Sequence, residues 1–466
     1  MSAALDLHQD PIRTLVFKMT TPLMLAGLVT TSYNFVDMIF ASRLGSVEVA
    51  SIAFVAPFFM MLQALAIGVI RGGISIIATL LGQQEQKEAS AYATQLRLLV
   101  VWLSLIFAVP GFFVLPVIMR AAGVSDELFS NSVTYSRILF CSIPLMLMFQ
   151  LYLSFFKSQG KMKTISRVSI FGVACNAALN AVFLFVFHFE IDGLAYASLL
   201  TTFTQLLIIY VLYRREEQEF TVAWRKLPGY SALQIWKRLL AVGLPLSLSQ
   251  ASTHFGFMVL NIFIVQYGHQ AVAAFAIGNR IHSLLFFPSK EIASGLIPLI
   301  AQNWGRGAID RVRETIKVGL GFALAFGVFA AVVIQLIKYP LAHFLTNDDP
   351  ETYRHVINYI GLVGWTVIAW ALFHTFMGIF ISFQKTLFAL AVDIVRLWGI
   401  RIPGILLFYH FMPELAEYGI WNTMFISNTV TMFFAIGYFF VMIPPMLRQA
   451  EAEKPLVSAD GRGSLA

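Results

Sequence analysis

The sequence predicts an all-α integral membrane protein, with about twelve transmembrane helices arranged as two six-helix lobes. Three observations predict it: the composition, the length of the apolar runs, and a repeat at half the chain. Of 466 residues, 58% are hydrophobic and 12% charged, with a mean hydropathy of +0.76, far from the balance of a water-soluble chain. In water the 43 Phe, 17 Met and 8 Trp residues would leave large exposed apolar patches. The apolar runs are long and continuous, whereas a transmembrane β-barrel would alternate polarity over segments of about ten residues.

Residues 1–14 carry Asp6, His8, Asp10 and Arg13 without the apolar core or small-residue cleavage site of a secretory signal, and read as a cytosolic leader. At about 20 apolar residues per crossing, helices are predicted near 15–40, 50–80, 95–117, 132–156, 166–188, 193–213, 238–266, 271–302, 317–338, 355–382, 387–409 and 418–445. Residues 15–213 then form the N-lobe, 214–236 a charged cytosolic linker, 237–445 the C-lobe and 446–466 a cytosolic tail. Pro22, Pro57, Pro110, Pro116 and Pro144 interrupt first-half spans, and Pro245, Pro288, Pro298 and Pro403 those of the second. Each removes a backbone donor, so kinks are expected there.

The basic residues test the topology. Lys157, Lys161, Lys163 and Arg167 follow span four, Arg214, Arg215, Arg225, Lys226, Lys237 and Arg238 lie between six and seven, and Arg306, Arg311 and Arg313 follow eight. All fall on one side, while the opposite loops hold Asp126, Glu127, Glu190, Asp192, Asp348, Asp349, Glu351, Glu414 and Glu417. Both termini are therefore expected in the cytosol. The net charge of +7 follows from topology, since no contiguous basic face exists for nucleic acid. Cys141 and Cys175 lie in apolar stretches and read as packing residues, not as a disulfide or metal site. No Walker loop, GxSxG elbow or HExxH occurs, so the chain reads as no enzyme and draws its energy from gradients.

The repeat appears at an offset of 223: Pro22 meets Pro245, Gly45 meets Gly268, Ala50 meets Ala273, Ala53 meets Ala276 and Gly82 meets Gly305. The register drifts to 225 at Ser158-Gln159 against Phe383-Gln384, and to 226 at Gly193 against Gly419. Six spans return each half to its starting side, so the halves are parallel repeats about an axis along the membrane normal, an arrangement that encloses a substrate path opened to alternate sides.

Asp37, in TTSYNFVDMIF of span one, is the leading candidate. A carboxylate at that depth must be paired, hydrated or neutralised by a proton, and a carboxyl that exchanges a proton is what a proton-coupled carrier needs. Arg71 in IGVIRGGIS is its candidate structural partner. Tyr33 lies one turn before Asp37 on the same face, and Asn176 and Asn180 in CNAALN stand four apart on one face of span five. Those amides either line the path or join helices. Ser198, Thr201 and Thr202 carry a weaker signal, since hydroxyls in membrane helices often bond their own backbone. In the second half His254 and Glu291 stay unassigned, while Asp393 and Arg396, three apart, suit a local ion pair.

These residues resemble the multidrug and toxic compound extrusion (MATE) family over essentially the whole chain. The likeness rests on Pro22 followed by YNFVDMIFASRLGSVEVAS, on FKSQGK at 156–161, GLAYAS at 193–198, GLPLSLSQ at 243–250, and AVAAFAIGNRIHS followed by Pro288 and LIAQNWG. Lack of an acid in mid-span seven resembles the DinF-like branch. The resemblance implies a V-shaped pair of six-helix bundles exchanging drugs for protons or sodium, with Asp37 as the cation-coupling aspartate. It implies pocket roles for Tyr135 of span four, Asn176, Asn180 and Ser198. A single first-lobe carboxyl, with Asn180 where some relatives carry a second acid, favours a proton over sodium. The expected partners are organic, often cationic aromatic compounds, protons and the lipid of a bacterial inner membrane. A monomer without cofactor is expected, and the alternatives are a sodium-coupled drug exporter or a lipid-linked precursor flippase.

Overall fold

The computed structural model describes residues 6–121, 125–223, 229–346, 349–412 and 415–460, apart from the side chains of 32–38, 42, 46, 127, 267, 269, 416, 417 and 454–460. Tyr33 and Asp37 belong to that set, so their side chains lie outside the described residues, as do Arg225, Lys226, Asp348 and Glu414 entirely. Among the described residues every regular element is a helix. In order they are α1 (Ile12–Leu44), α2 (Ser46–Gly82), α3 (Gln86–Ala121), α4 (Asp126–Ser158), α5 (Met162–Ala181), α6 (Ile191–Arg215), α7 (Ala232–Ile264), α8 (His269–Gly305), α9 (Ile309–Leu345), α10 (Pro350–Val363), α11 (Thr366–Ser382), α12 (Thr386–Ile394), α13 (Ile402–Phe411) and α14 (Ala416–Asp460). A π-helical turn, Val182–Val186, extends α5, and another, Val395–Arg401, joins α12 to α13.

Nine helices among the described residues are long and apolar enough to cross a membrane, and α10 with α11, bent by 48°, makes a tenth. The other two predicted spans fall short for visible reasons. Ser247, Ser249, Gln250, Ser252, Thr253 and His254 thin the apolar content of α7, and the last spans α12–α13, split by its π-turn and carrying Asp393, Arg396 and Arg401. Large apolar side chains such as Trp102, Phe113, Leu336 and Phe440 are exposed on these helices, which suits helices surrounded by hydrocarbon. Inside the helices, hydroxyls such as Thr20, Ser51 and Thr375 donate to the carbonyl four residues back at 2.7–2.9 Å.

The packing divides the chain into two compact units. One holds Met1–Thr21, Ala78–Glu85 and Val259–Ala466; the other holds Pro22–Ile77 and Gln86–Met258. Helix α1 thus passes from one unit to the next at Pro22, without interruption of its helix.

In the unit built on α3–α6, α4 packs against α3 and α6 over an aromatic nest of Tyr152, Phe155, Tyr213 and Phe220, with centroids 5.3–6.0 Å apart. Part of the segment read as a linker is tied down here. The Thr221 and Ala223 amides donate to the Ser90 and Thr94 hydroxyls at 3.0 and 3.1 Å, and Arg97 donates to the Ala223 carbonyl at 2.6 Å. Helix α7 lies directly on α2: an added Cβ at Gly72 would stand 2.8 Å from Gly243, and Ser247 donates to the Leu65 carbonyl.

In the other unit α11 forms the centre between α8 and α9. The start of α1 lies on α8, where Gly295 faces Thr20 at 3.1 Å. This is the α2–α7 crossing repeated, since 72 + 223 = 295 and 20 + 223 = 243. The leader does not hang free: Leu7 is buried, and Arg311 donates to the carbonyls of Leu7 and Asp10 at 3.1 and 2.9 Å and to Asn303 Oδ1 at 3.1 Å.

Helix bounds follow the repeat closely. Ser46–Gly82 recurs as His269–Gly305 at 223, while Asp126–Ser158 recurs as Pro350 to Ser382 at 224. The register after span four is therefore 224, one less than the sequence reading. Gly160 and Gln384, both in the left-handed region at φ 74° and 59°, hold the same turn, with Lys161 N donating to Phe156 O and Lys385 N to Phe380 O.

The prolines of spans one to four, seven and eight sit inside continuous helices, and a 48° bend lies between α10 and α11 at Gly364-Trp365, where Gln335 caps the Ile360 carbonyl at 3.0 Å. Other expectations are corrected. Cys141 is exposed on α4 and not packed. In the loop stretch that holds Asp349 and Glu351, Asp349 caps α10 through the Glu351 amide at 3.1 Å, and His355 on that helix is buried. The Thr352 hydroxyl holds the Asp349 carboxyl below the usual range.

Candidate functional site

The first-half candidates lie on α1, α4, α5 and α6. Asn176 and Asn180 are fully buried, and Asn180 Nδ2 donates to Asn176 Oδ1 at 3.1 Å, so the i, i+4 spacing yields a bonded amide pair on one helix. Tyr135 is buried on α4, which packs against α5 and α6. Ser198 and Thr202 are half-buried on α6, and the Thr202 hydroxyl donates to the Ser198 carbonyl at 2.8 Å, the backbone role open to any helix hydroxyl. Thr201 Oγ1 is buried without a hydrogen-bond partner. Arg71 and His254 are half-buried on α2 and α7. Pairing of Arg71 with Asp37 falls outside the described residues. Among the described residues no group of three or more His, Cys, Asp or Glu side chains is placed to hold a metal.

The second half builds a polar centre that the residues judged one by one did not reveal. Arg396, 2% exposed, pairs with Asp393 at 2.8 Å and lies 4.8 Å over the Trp370 ring. Arg401, 2% exposed, donates to Ser427 Oγ at 3.0 Å and Asn428 Oδ1 at 2.6 Å, and Asn428 Nδ2 donates to Thr366 Oγ1 at 3.3 Å. Tyr359 donates to Asn279 Oδ1 at 3.2 Å, and His282 Nδ1 stands 3.2 Å from the Tyr359 oxygen. Because that phenol gives its one proton to Asn279, the imidazole is the donor to it. Glu291 is half-buried on α8.

The repeat was the signal that locates this centre. Tyr135 maps to Tyr359 (135 + 224), and Thr202 to Asn428 (202 + 226). The π-turn Val395–Arg401 takes up one further residue, as an i→i+5 turn does, so Asn176 maps to Arg401 (176 + 225). One position thus carries a neutral amide in the first half and a guanidinium in the second.

The MatE family model matches residues 22–182 and, a second time, residues 245–407. The chain belongs to the MatE family. The two matches start 245 − 22 = 223 residues apart, the offset of the repeat. Members of this family are transporters and not enzymes, and the chain is a multi-pass membrane transporter of the multidrug efflux type. It is similar to the probable multidrug resistance protein YoeA of Bacillus subtilis, 24% identical over 90% of this chain and 91% of that one. It is also similar to the FAD transporter of Shewanella oneidensis, 22% identical over 84% and 87%. Among solved structures, a MOP superfamily transporter from Pyrococcus furiosus superposes with a TM-score of 0.89 at 21% identity, covering 97% of this chain and 100% of that one. That likeness carries the fold.

Proposed function

We propose that this MatE protein exports organic compounds, cationic aromatic ones foremost, across a bacterial inner membrane in exchange for protons, with Asp37 as the coupling group and both termini in the cytosol. The observation that carries the reading is the placement of charge in the first half. The sequence sets Glu48, Glu88, Asp126, Glu127 and Asp192 near the ends of helices and Asp37 well within one. The polar pair of α5 is made of two amides that satisfy each other in part, which leaves a carboxyl at 37 as the group able to take up and release a proton at membrane depth. Tyr33, Tyr135, Asn176, Asn180, Ser198 and Thr202 form the pocket around it in this reading. Lys and Arg on one side of the spans support the orientation.

A potential of 100 mV supplies about 2.3 kcal/mol per charge. One proton exchanged for a neutral compound then sustains a gradient of roughly forty- to fiftyfold at about 1.4 kcal/mol per tenfold, whereas one proton exchanged for a monovalent cation moves no net charge and is driven by the pH gradient alone, about tenfold per pH unit. Proteoliposomes holding the purified chain test the proposal. With a pH gradient imposed and no sodium present, ethidium accumulates against its gradient; accumulation that needs a sodium gradient and ignores pH contradicts proton coupling.

A further inference from the structure

Among the described residues of the second half, two buried guanidinium groups share one carboxylate partner. Arg396 and Arg401 are each 2% exposed, Asp393 pairs with the first, and the hydrogen-bond partners of the second are the neutral Ser427 and Asn428. One carboxylate therefore faces two guanidinium groups. Buried donors are also left over: Arg396 Nε and Trp370 Nε1 have no hydrogen-bond partner, although Trp370 is 8% exposed and in contact with the guanidinium. A buried N–H without an acceptor is costly, and an unneutralised buried cation more so. The surroundings are flat and aromatic. The Trp370 ring stacks on Phe286 at 4.6 Å, and Phe373 stands 5.7 Å from the Arg396 guanidinium.

Excess positive charge, two orphaned N–H donors and stacked rings describe the complement of one chemical group, a carboxylate carried on an aromatic ring. We propose that the second half holds a binding site for an aromatic carboxylate, whose oxygens accept from Arg396 Nε–H and Trp370 Nε1–H and whose ring lies among Trp370, Phe286 and Phe373. Asp393 is the internal anion that the ligand competes with. Its side chain is the less buried member of the pair, 14% exposed against 3%. The proposal does not rest on the proton-coupled reading.

Calorimetric titration of the purified full chain with benzoate, benzamide and inorganic phosphate tests the site. Benzoate binds saturably, and its neutral isostere benzamide and the ringless phosphate bind at least about tenfold more weakly. Asp393→Asn removes the internal competitor and tightens benzoate on the order of tenfold, whereas Trp370→Phe keeps the ring, removes one donor and weakens it by a similar factor. The double variant Asp393→Asn, Arg396→Gln removes both charges together and abolishes benzoate binding, with folding checked by its melting curve. Equal affinities for benzoate and benzamide, phosphate binding as tightly as benzoate, or weaker benzoate binding in Asp393→Asn would each overturn the proposal.

Discussion

Gly82 abuts the carbonyl of Gln302 so closely that an added methyl at position 82 would overlap its oxygen. At the repeat positions, 223 residues on, Gly305 abuts the carbonyl of Thr79 in the same way. The two contacts are one crossing of α2 and α8 seen from each helix, and both need a residue without Cβ. Gly82→Ala and Gly305→Ala should each cost about 1–3 kcal/mol through overpacking, and less together than the sum because they part the same backbones. Gly321 on α9 has open space around it, so Gly321→Ala should be neutral or stabilise by up to about 1 kcal/mol. Melting curves of the purified variants check the contrast.

The amide pair of α5 gives a second expectation. Asn176→Leu removes the acceptor of Asn180 Nδ2 and should cost about 0.6–2 kcal/mol. Thr202→Val removes a hydroxyl bonded to its own helix and should stay within about 0.5 kcal/mol. Comparable losses in unfolding measurements would mean that the Thr202 hydroxyl also holds a partner beyond α6.

The leader clamp should depend on pH through His8. Its Nδ1 is buried without a hydrogen-bond partner, and its pKa is lowered from 6.5, chiefly by burial and then by Arg306, with Asp6 opposing and Arg311 adding. The folded clamp therefore binds the proton more weakly than the open one. Stability is fully present above the unfolded pKa of about 6.5 and falls as pH drops below it toward the lower folded value. Protection factors of the amides in residues 7–16, in which the intrinsic pH dependence of exchange is divided out, should fall between pH 7.5 and 5.5 in the wild type. The fall should be much smaller in His8→Gln, and protection that rises at acid pH would contradict the sign.

Fold class was legible because lipid imposes one rule on every span: about 20 apolar residues with all backbone groups bonded within the helix. The parallel repeat was legible from glycines and prolines, and the contacts of Gly82 with Gln302 and of Gly305 with Thr79 show why that pair is small. The 48° bend between α10 and α11 was not legible, because it falls at Gly364-Trp365 with no proline at the break. Tyr359 and Asn428 were legible only by carrying Tyr135 and Thr202 through the repeat, since each alone is an ordinary residue of an apolar run, whereas Arg401 stands out by itself as a charge inside a predicted span. The clamp of Leu7 and Asp10 by Arg311 joins residues about three hundred apart through backbone carbonyls, and no side-chain pattern announces such a bond.

Proton coupling through Asp37 is the central claim, and the most direct measurement is proton release on drug binding. Ethidium is added to the purified chain in weakly buffered detergent solution without sodium, and the pH is followed with an indicator dye. The wild type should release protons in proportion to ethidium bound, and Asp37→Asn, folded by its melting curve, should release none. Equal release from both proteins would contradict the claim and place the exchanged proton on another group.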